Sequence, residues 1–313
     1  MTVSNFLDPI QTTKLVCMDR YLSEFIELYN SKKFPKVLLL NGKKGIGKFT
    51  LVIHFLNYIF TQNEKKPYNF ENKLIDVDSL FYNQLLNGTN QDILIIQAEE
   101  NKNVKIEDIR NLKSILSRSS LSGNPRFIII DEVEFINQNS ANALLKSLEE
   151  PTPNNFFILI NNQQADLIKT ISSRCLKSNI FLNSNESKTI TNYLLENHNI
   201  DQIIDFNSDI APGLYIRFNE IYSKFNIDIN DEILIKINKL LKIYQKNKDK
   251  ILISLILFLI DQYFLKLIKV NQKKLDFLLK IKSSIIRSIN DFIYYNLNIN
   301  SVLKSIEVQL KNV

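Results

Sequence analysis

A glycine-rich loop, Asn41-Gly42-Lys43-Lys44-Gly45-Ile46-Gly47-Lys48-Phe49-Thr50, follows the strand-like run Lys36-Val37-Leu38-Leu39-Leu40. That order prescribes a buried strand, a tight turn that tolerates few side chains, and a helix opened by the turn. The loop fits the phosphate-binding pattern G-x-x-x-x-G-K-[ST] at every position but the last. In a working loop, backbone N–H groups curl around phosphates, the lysine meets the outer phosphates, and the next hydroxyl holds Mg²⁺. Here Phe49 stands where that hydroxyl belongs, and Thr50 comes one residue too late. An aromatic ring cannot coordinate a hard cation that requires oxygen ligands. The scaffold therefore reads as ATPase-like with its metal position lost. Gly42, Gly45, Gly47, Lys48 and Thr50 remain as a degenerate nucleotide-binding set. No cofactor is expected to be bound productively; Lys48 and the backbone amides could still hold residual ATP, ADP or phosphate without Mg²⁺ and without turnover.

The first half of the chain alternates short apolar runs with helical periodicity. Leu38–Leu40, Ile93–Ile96, Phe127–Ile130 and Phe156–Ile160 read as strands. Leu51–Phe60, Ile106–Leu116 and Ala141–Leu148 read as the helices between them. Continuous apolar strands separated by helices argue for an α/β fold with a parallel sheet covered on both faces. Ligands then bind at the carboxyl ends of the strands. After about Phe181 the strand signals stop. Asn183-Ser184-Asn185-Glu186-Ser187 reads as a linker with a helix cap, and Ala211-Pro212-Gly213 as a turn. From Asp231 onward apolar residues recur three and four apart, and neither Pro nor Gly occurs after Gly213, so the last third is expected to be all-helical.

Composition narrows the setting. The 313 residues carry a net charge of +6, with lysines spread along the chain rather than concentrated in a block, so a nucleic-acid face is permitted and not established. Two distant cysteines, Cys17 and Cys175, and two isolated histidines, His54 and His198, offer no zinc spacing, and no metal site is expected. The N-terminal residues show no secretory pattern. The longest apolar run, Ile251–Ile260, is too short for a bilayer, so a cytoplasmic protein without a membrane partner is expected.

Three further segments carry chemistry. Phe127-Ile128-Ile129-Ile130-Asp131-Glu132 is a buried strand ending in two carboxylates. After a phosphate-binding loop, the first of such a pair supports Mg²⁺ and the second can orient water, so Asp131 and Glu132 are Walker-B-like candidates. Ser140–Glu150 places Ala141, Leu144, Leu145 and Leu148 on one helical face before Pro151 ends the helix. Arg174, in Ile171-Ser172-Ser173-Arg174-Cys175, is either a surface residue in a local ion pair or an arginine finger that reaches a neighbouring subunit's nucleotide.

Val104-Lys105-Ile106-Glu107-Asp108-Ile109-Arg110, the Asp131-Glu132 strand, Ser140–Pro151 and Ser173-Arg174-Cys175 together resemble bacterial clamp-loader subunits of the AAA+ class. The similarity covers the first 180 residues well and the remainder by architecture. Phe49, the missing zinc cluster, and Ala211-Pro212-Gly213-Leu214, where Gly213 replaces a sensor arginine, resemble the delta-prime branch of DNA polymerase III clamp loaders.

The resemblance implies an AAA+ domain over residues 1–166, a small helical lid over 167–226 and an all-helical collar over 227–313. It implies a DNA-replication role as a non-hydrolysing stator in a five-membered ring with motor and delta subunits. There Arg174 acts in trans as the catalytic arginine, and the assembly loads the sliding clamp on primer-template DNA. The competing reading is an active AAA+ motor subunit, with Thr50 or water replacing the missing ligand.

Overall fold

The computed structural model describes residues 8–97, 106–116, 123–207 and 209–311. The four apolar runs form β1 (Val37–Asn41), β2 (Ile93–Ile96), β3 (Arg126–Ile130) and β4 (Asn155–Asn161). A fifth strand, β5 (Leu176–Asn179), comes from a segment with no apolar signature, because it is an edge strand exposed along most of its length. All pairings are parallel, in the order β2-β3-β4-β1-β5. Strand β1, which feeds the glycine loop, therefore lies between β4 and β5, far from its neighbour in sequence. This interior position keeps its first four residues buried.

Side chains alternate between two apolar layers, as the pleat requires. Leu38, Leu40, Phe127, Ile129, Ile158 and Ile160 face one layer, with helix α1 (Asp19–Asn30), α2 (Lys48–Phe60) and α3 (Leu80–Leu86). Val37, Leu39, Ile128, Ile130, Phe157 and Leu159 face the other, with α4 (Ile106–Leu116) and α5 (Gln138–Glu149). Because both faces are covered, the interior strands read as unbroken apolar runs. The first layer is rich in rings: Phe34 stacks on Phe55 at 4.9 Å between centroids, and Phe127 on Phe156 at 5.1 Å.

His54 lies within that layer and is fully buried. Its Nε2 bonds the Thr12 carbonyl at 3.0 Å and its Nδ1 the Tyr68 hydroxyl at 2.9 Å. A carbonyl only accepts, so Nε2 carries the proton and Nδ1 accepts from Tyr68. Burial lowers the imidazole pKa to about 4, which makes His54 a neutral structural strut.

Beyond the sheet, a short helix α6 (Lys169–Ser172) precedes β5, and α7 (Ser184–His198) follows it. The cap expected from sequence is a capping box: Asn183 accepts from Glu186 N–H while the Glu186 carboxylate accepts from Asn183 N–H. Next comes α8 (Pro212–Lys224), and then α9 (Ile233–Asn247), α10 (Lys250–Val270), α11 (Leu275–Tyr295) and α12 (Ile299–Lys311). The chain divides into two compact units. One holds the described residues up to Ile200 together with Phe206–Ile216; the other holds Asp201–Asp205 and everything described from Arg217. The first turn of α8 thus belongs to the sheet unit.

Helix α10 carries the apolar run noticed in sequence within 21 helical residues, and by length and composition it is long enough to cross a membrane. Its Leu252, Leu255, Ile256, Ile260 and Phe264 are buried within the helical unit, and its Asp261 pairs with Lys282 of α11 at 2.7 Å. A carboxylate near the middle of the helix and paired across the bundle fits a core helix.

Candidate functional site: a covered phosphate-binding loop

The loop forms where the glycines allow it. Gly45 and Gly47 have φ of +85° and +96°, a region open to glycine at little cost, and Gly47 is the N-cap of α2. A Cβ on Gly42 would lie 2.4 Å from the Ile180 carbonyl oxygen, so only glycine fits beside β5. The Phe49 ring turns away from the loop into the apolar layer and is 6% exposed. Thr50 is half-buried one position further along α2. Lys48, also buried, donates from Nζ to the Gly42 and Lys43 carbonyls, each at 2.7 Å. Burial lowers its pKa to about 8 against the opposing pull of Asp131 and Glu134.

The two Walker-B-like carboxylates behave differently. Asp131 ends β3, and burial first, then the Glu132 charge, raises its pKa to about 6. The Glu132 N–H at 2.8 Å, the Asn162 amide at 3.2 Å and the Lys48 charge oppose that rise. Glu132 sits at φ +53° and pairs with Lys44 of the loop at 2.5 Å. The structure therefore joins Lys48, Asp131 and Glu132 to one place at the carboxyl ends of β1 and β3.

Sequence reasoning missed several supporting residues there. Glu134 is buried and accepts from the Asn162 N–H at 3.0 and 3.1 Å, fixing the end of β4. Asn161, Asn41 and Asn179 end three adjacent strands in register and bond side chain to side chain at 2.8 and 3.0 Å. The available signal was that two apolar strands, β1 and β4, both end in asparagine.

Asp131→Asn should stabilise the chain at neutral and higher pH. A folded pKa above the unfolded value means that ionisation is disfavoured in the native state. The favourable contribution is then complete below pH 4 and is lost as pH rises through about 6. From 3.8 to about 6, at about 1.4 kcal/mol per pH unit, the variant gains up to about 3 kcal/mol at pH 8. Asparagine keeps an oxygen for the Glu132 and Asn162 donors. Urea midpoints of both proteins at pH 4 and pH 8 check this: the gain should vanish at the lower pH.

The turn before α8 lies directly on the loop. Gly213 N–H donates to the Gly45 carbonyl at 2.9 Å. A Cβ on Gly213 would come within 3.0 Å of that same oxygen, and one on Gly45 within 3.0 Å of the Leu214 nitrogen. The Met18 methyl stands 3.5 Å from where a Gly47 Cβ would be, and Lys43 reaches the Asp209 carbonyl at 3.4 Å. Met18, Ile46, Ala211 and Leu214 all belong to one apolar cluster. The Gly213 turn thus packs on the Gly45 backbone, and the side chain at the metal-ligand position, Phe49, lies in the core.

Arg174 takes no part in this cluster. It follows α6, and its Nε donates to Glu149 Oε1 at 2.7 Å, with Nη2 ion-paired to the same oxygen. Its Nη1 donates to the Thr170 carbonyl at 2.8 Å and more weakly to Ser173 Oγ at 3.4 Å. The side chain remains 31% exposed. Of the Val104–Arg110 motif, Val104 and Lys105 lie outside the described residues; Ile109 is buried on the sheet, while Glu107 and Arg110 are exposed. Among the described residues, no three His, Cys, Asp or Glu side chains gather as metal ligands.

Residues 18–183 match the family model described as DNA polymerase III, delta subunit, more than half of the chain and spanning both the covered loop and Arg174. The chain belongs to that family. Among curated members, the DNA polymerase III subunit delta' of Pseudomonas aeruginosa is 32% identical over 141 residues, 44% of this chain and 41% of its own. The subunit delta' of Buchnera aphidicola subsp. Schizaphis graminum is 27% identical over 226 residues, 68% of this chain and 67% of its own. The Bacillus subtilis DNA polymerase III subunit tau is 30% identical over 147 residues, 46% of this chain and 24% of its own. The chain thus spans about two fifths to two thirds of the length of the delta' relatives. Among solved structures, a DNA polymerase III gamma subunit-related protein from Thermotoga maritima aligns over 96% of this chain and 98% of its own, at 20% identity and a TM-score of 0.46. Within the DNA polymerase III delta-subunit family, this member combines a five-stranded parallel sheet with a helical C-terminal region.

Proposed function

We propose that this chain is a delta-prime-like subunit of a DNA polymerase III clamp-loader complex that acts in DNA replication as a stator. It hydrolyses no ATP itself. It lends Arg174 to the nucleotide of a neighbouring subunit and helps the assembly place the sliding clamp on primer-template DNA. Phe49 carries this reading: the side chain at the metal position is an apolar ring buried in the core. The Gly213 turn supports it, because it packs backbone to backbone against Gly45 of the loop. The retained Lys48, Asp131 and Glu132 favour an active motor subunit instead. Against that, Lys48 directs two of its three donors to the loop's own carbonyls and Glu132 is paired with Lys44.

In this reading the loop holds at most ATP, ADP or phosphate without Mg²⁺. The partners are motor and delta subunits in a pentameric ring, and relatives named delta', tau and gamma support partners of that kind. The setting is the cytoplasm, with no membrane. Co-expression with the motor and delta subunits of the same cell tests the assembly. One copy of this chain in a five-subunit complex by native mass spectrometry is the expected result, and a chain that stays alone contradicts it.

A further inference from the structure

We infer that Glu149 is the positioning residue of the arginine finger; the inference rests on the proposed role of Arg174 and deepens it. Glu149 is the last residue of α5, where a carboxylate faces the negative end of the helix dipole and is mildly unfavourable. Its compensating partner is Arg174, which reaches it from 25 residues further along the chain. The guanidinium stands at the carboxyl ends of two helices. It donates from Nε and Nη2 to the α5 carboxylate and from Nη1 to the Thr170 carbonyl of α6, while its own N–H bonds the Ile171 carbonyl at 3.1 Å.

The grip has a specific geometry. Nε and Nη2 form the side-on edge of the guanidinium, and Glu149 takes that edge with a single oxygen. The end-on edge retains the second Nη2 hydrogen, and the side chain is 31% exposed. A free arginine otherwise gives up much rotamer freedom when it meets a phosphate. Held side-on, it has already given up most of that freedom and keeps one Nη2 donor outside the Glu149 grip. Glu149 acts through the direction it gives Arg174.

ATP turnover of the reconstituted loader tests this, with Arg174→Ala measured alongside. Glu149→Ala is expected to lower kcat at the Arg174-dependent site about tenfold or more, with KM and ring assembly unchanged. Glu149→Gln keeps an oxygen at the same reach and is expected to retain most of the rate. Glu149→Asp keeps the charge but withdraws it by one methylene, and is expected to fall toward the alanine value. In the Arg174→Ala background, Glu149→Ala should cost nothing further, since positioning has nothing left to position. Wild-type or increased kcat in Glu149→Ala, with Arg174→Ala strongly impaired, overturns the inference and leaves the role of Arg174 standing. Unimpaired turnover in Arg174→Ala overturns the role of Arg174 itself. If Glu149→Ala does not assemble, a wild-type rate in Glu149→Asp overturns the inference equally.

Discussion

On the proposed role of Arg174, replacing it with alanine in the assembled loader is expected to cut ATP hydrolysis at the neighbouring subunit's site by about 10³-fold or more. The total rate of the complex then falls by that site's share. The magnitude follows from what an arginine supplies to a phosphoryl group in transfer: a fixed, planar cation at the oxygens where charge develops. About 10³-fold corresponds to about 4 kcal/mol of transition-state stabilisation. Lysine should not rescue the loss, because a point charge on a flexible stem reproduces neither the fork nor the side-on grip of Glu149. Assembly should survive, since the side chain is partly exposed and its contacts are local to α5 and α6. Steady-state turnover of rings containing wild-type, Arg174→Ala and Arg174→Lys chains, matched by native mass, makes the measurement.

Phe49→Thr restores the letter of the phosphate-binding motif and is nonetheless expected to damage the protein without giving it activity. The ring is 6% exposed in the layer formed by α1, α2 and the sheet. Truncating a buried phenylalanine costs about 3–5 kcal/mol, and a hydroxyl left in an apolar pocket adds to that. For a unit of about 200 residues this lowers the melting midpoint by about 10 °C. Hydrolysis should remain absent in the isolated chain, because Gly213 still bonds Gly45 and Leu214 still lies on the loop. A stable Phe49→Thr protein with Mg²⁺-dependent turnover would show that the loop opens freely and that one residue alone separated it from catalysis.

The interior strands β1, β3 and β4 were legible because burial on both faces leaves long apolar runs, and the helices between them because their periodicity is clean. Strand β5 was not: Leu176-Lys177-Ser178-Asn179 pairs on one side only and carries no apolar requirement. Helix α1 was missed for a related reason, since Tyr21, Leu22, Phe25 and Ile26 make a narrow buried stripe between charged residues. At the site, Gly42, Lys48, Asp131 and Glu132 were readable because each occupies a fixed offset from a strand. Glu134, Asn161 and Asn162 were not, because their roles depend on β4 lying between β1 and β3, an order that sequence neighbours do not disclose. The contact between Gly213 and Gly45 was hidden in the same way. Gly213 read as a lost arginine, and only the fold makes the missing side chain a steric requirement of the covered loop.

Equilibrium binding of a fluorescent ATP analogue to the purified chain, with and without Mg²⁺, tests the central point most directly. Weak or undetectable binding, unchanged by the metal and accompanied by no phosphate release, is the predicted result. Tight binding that strengthens with Mg²⁺, with steady turnover by the chain alone that Lys48→Ala abolishes, would contradict it.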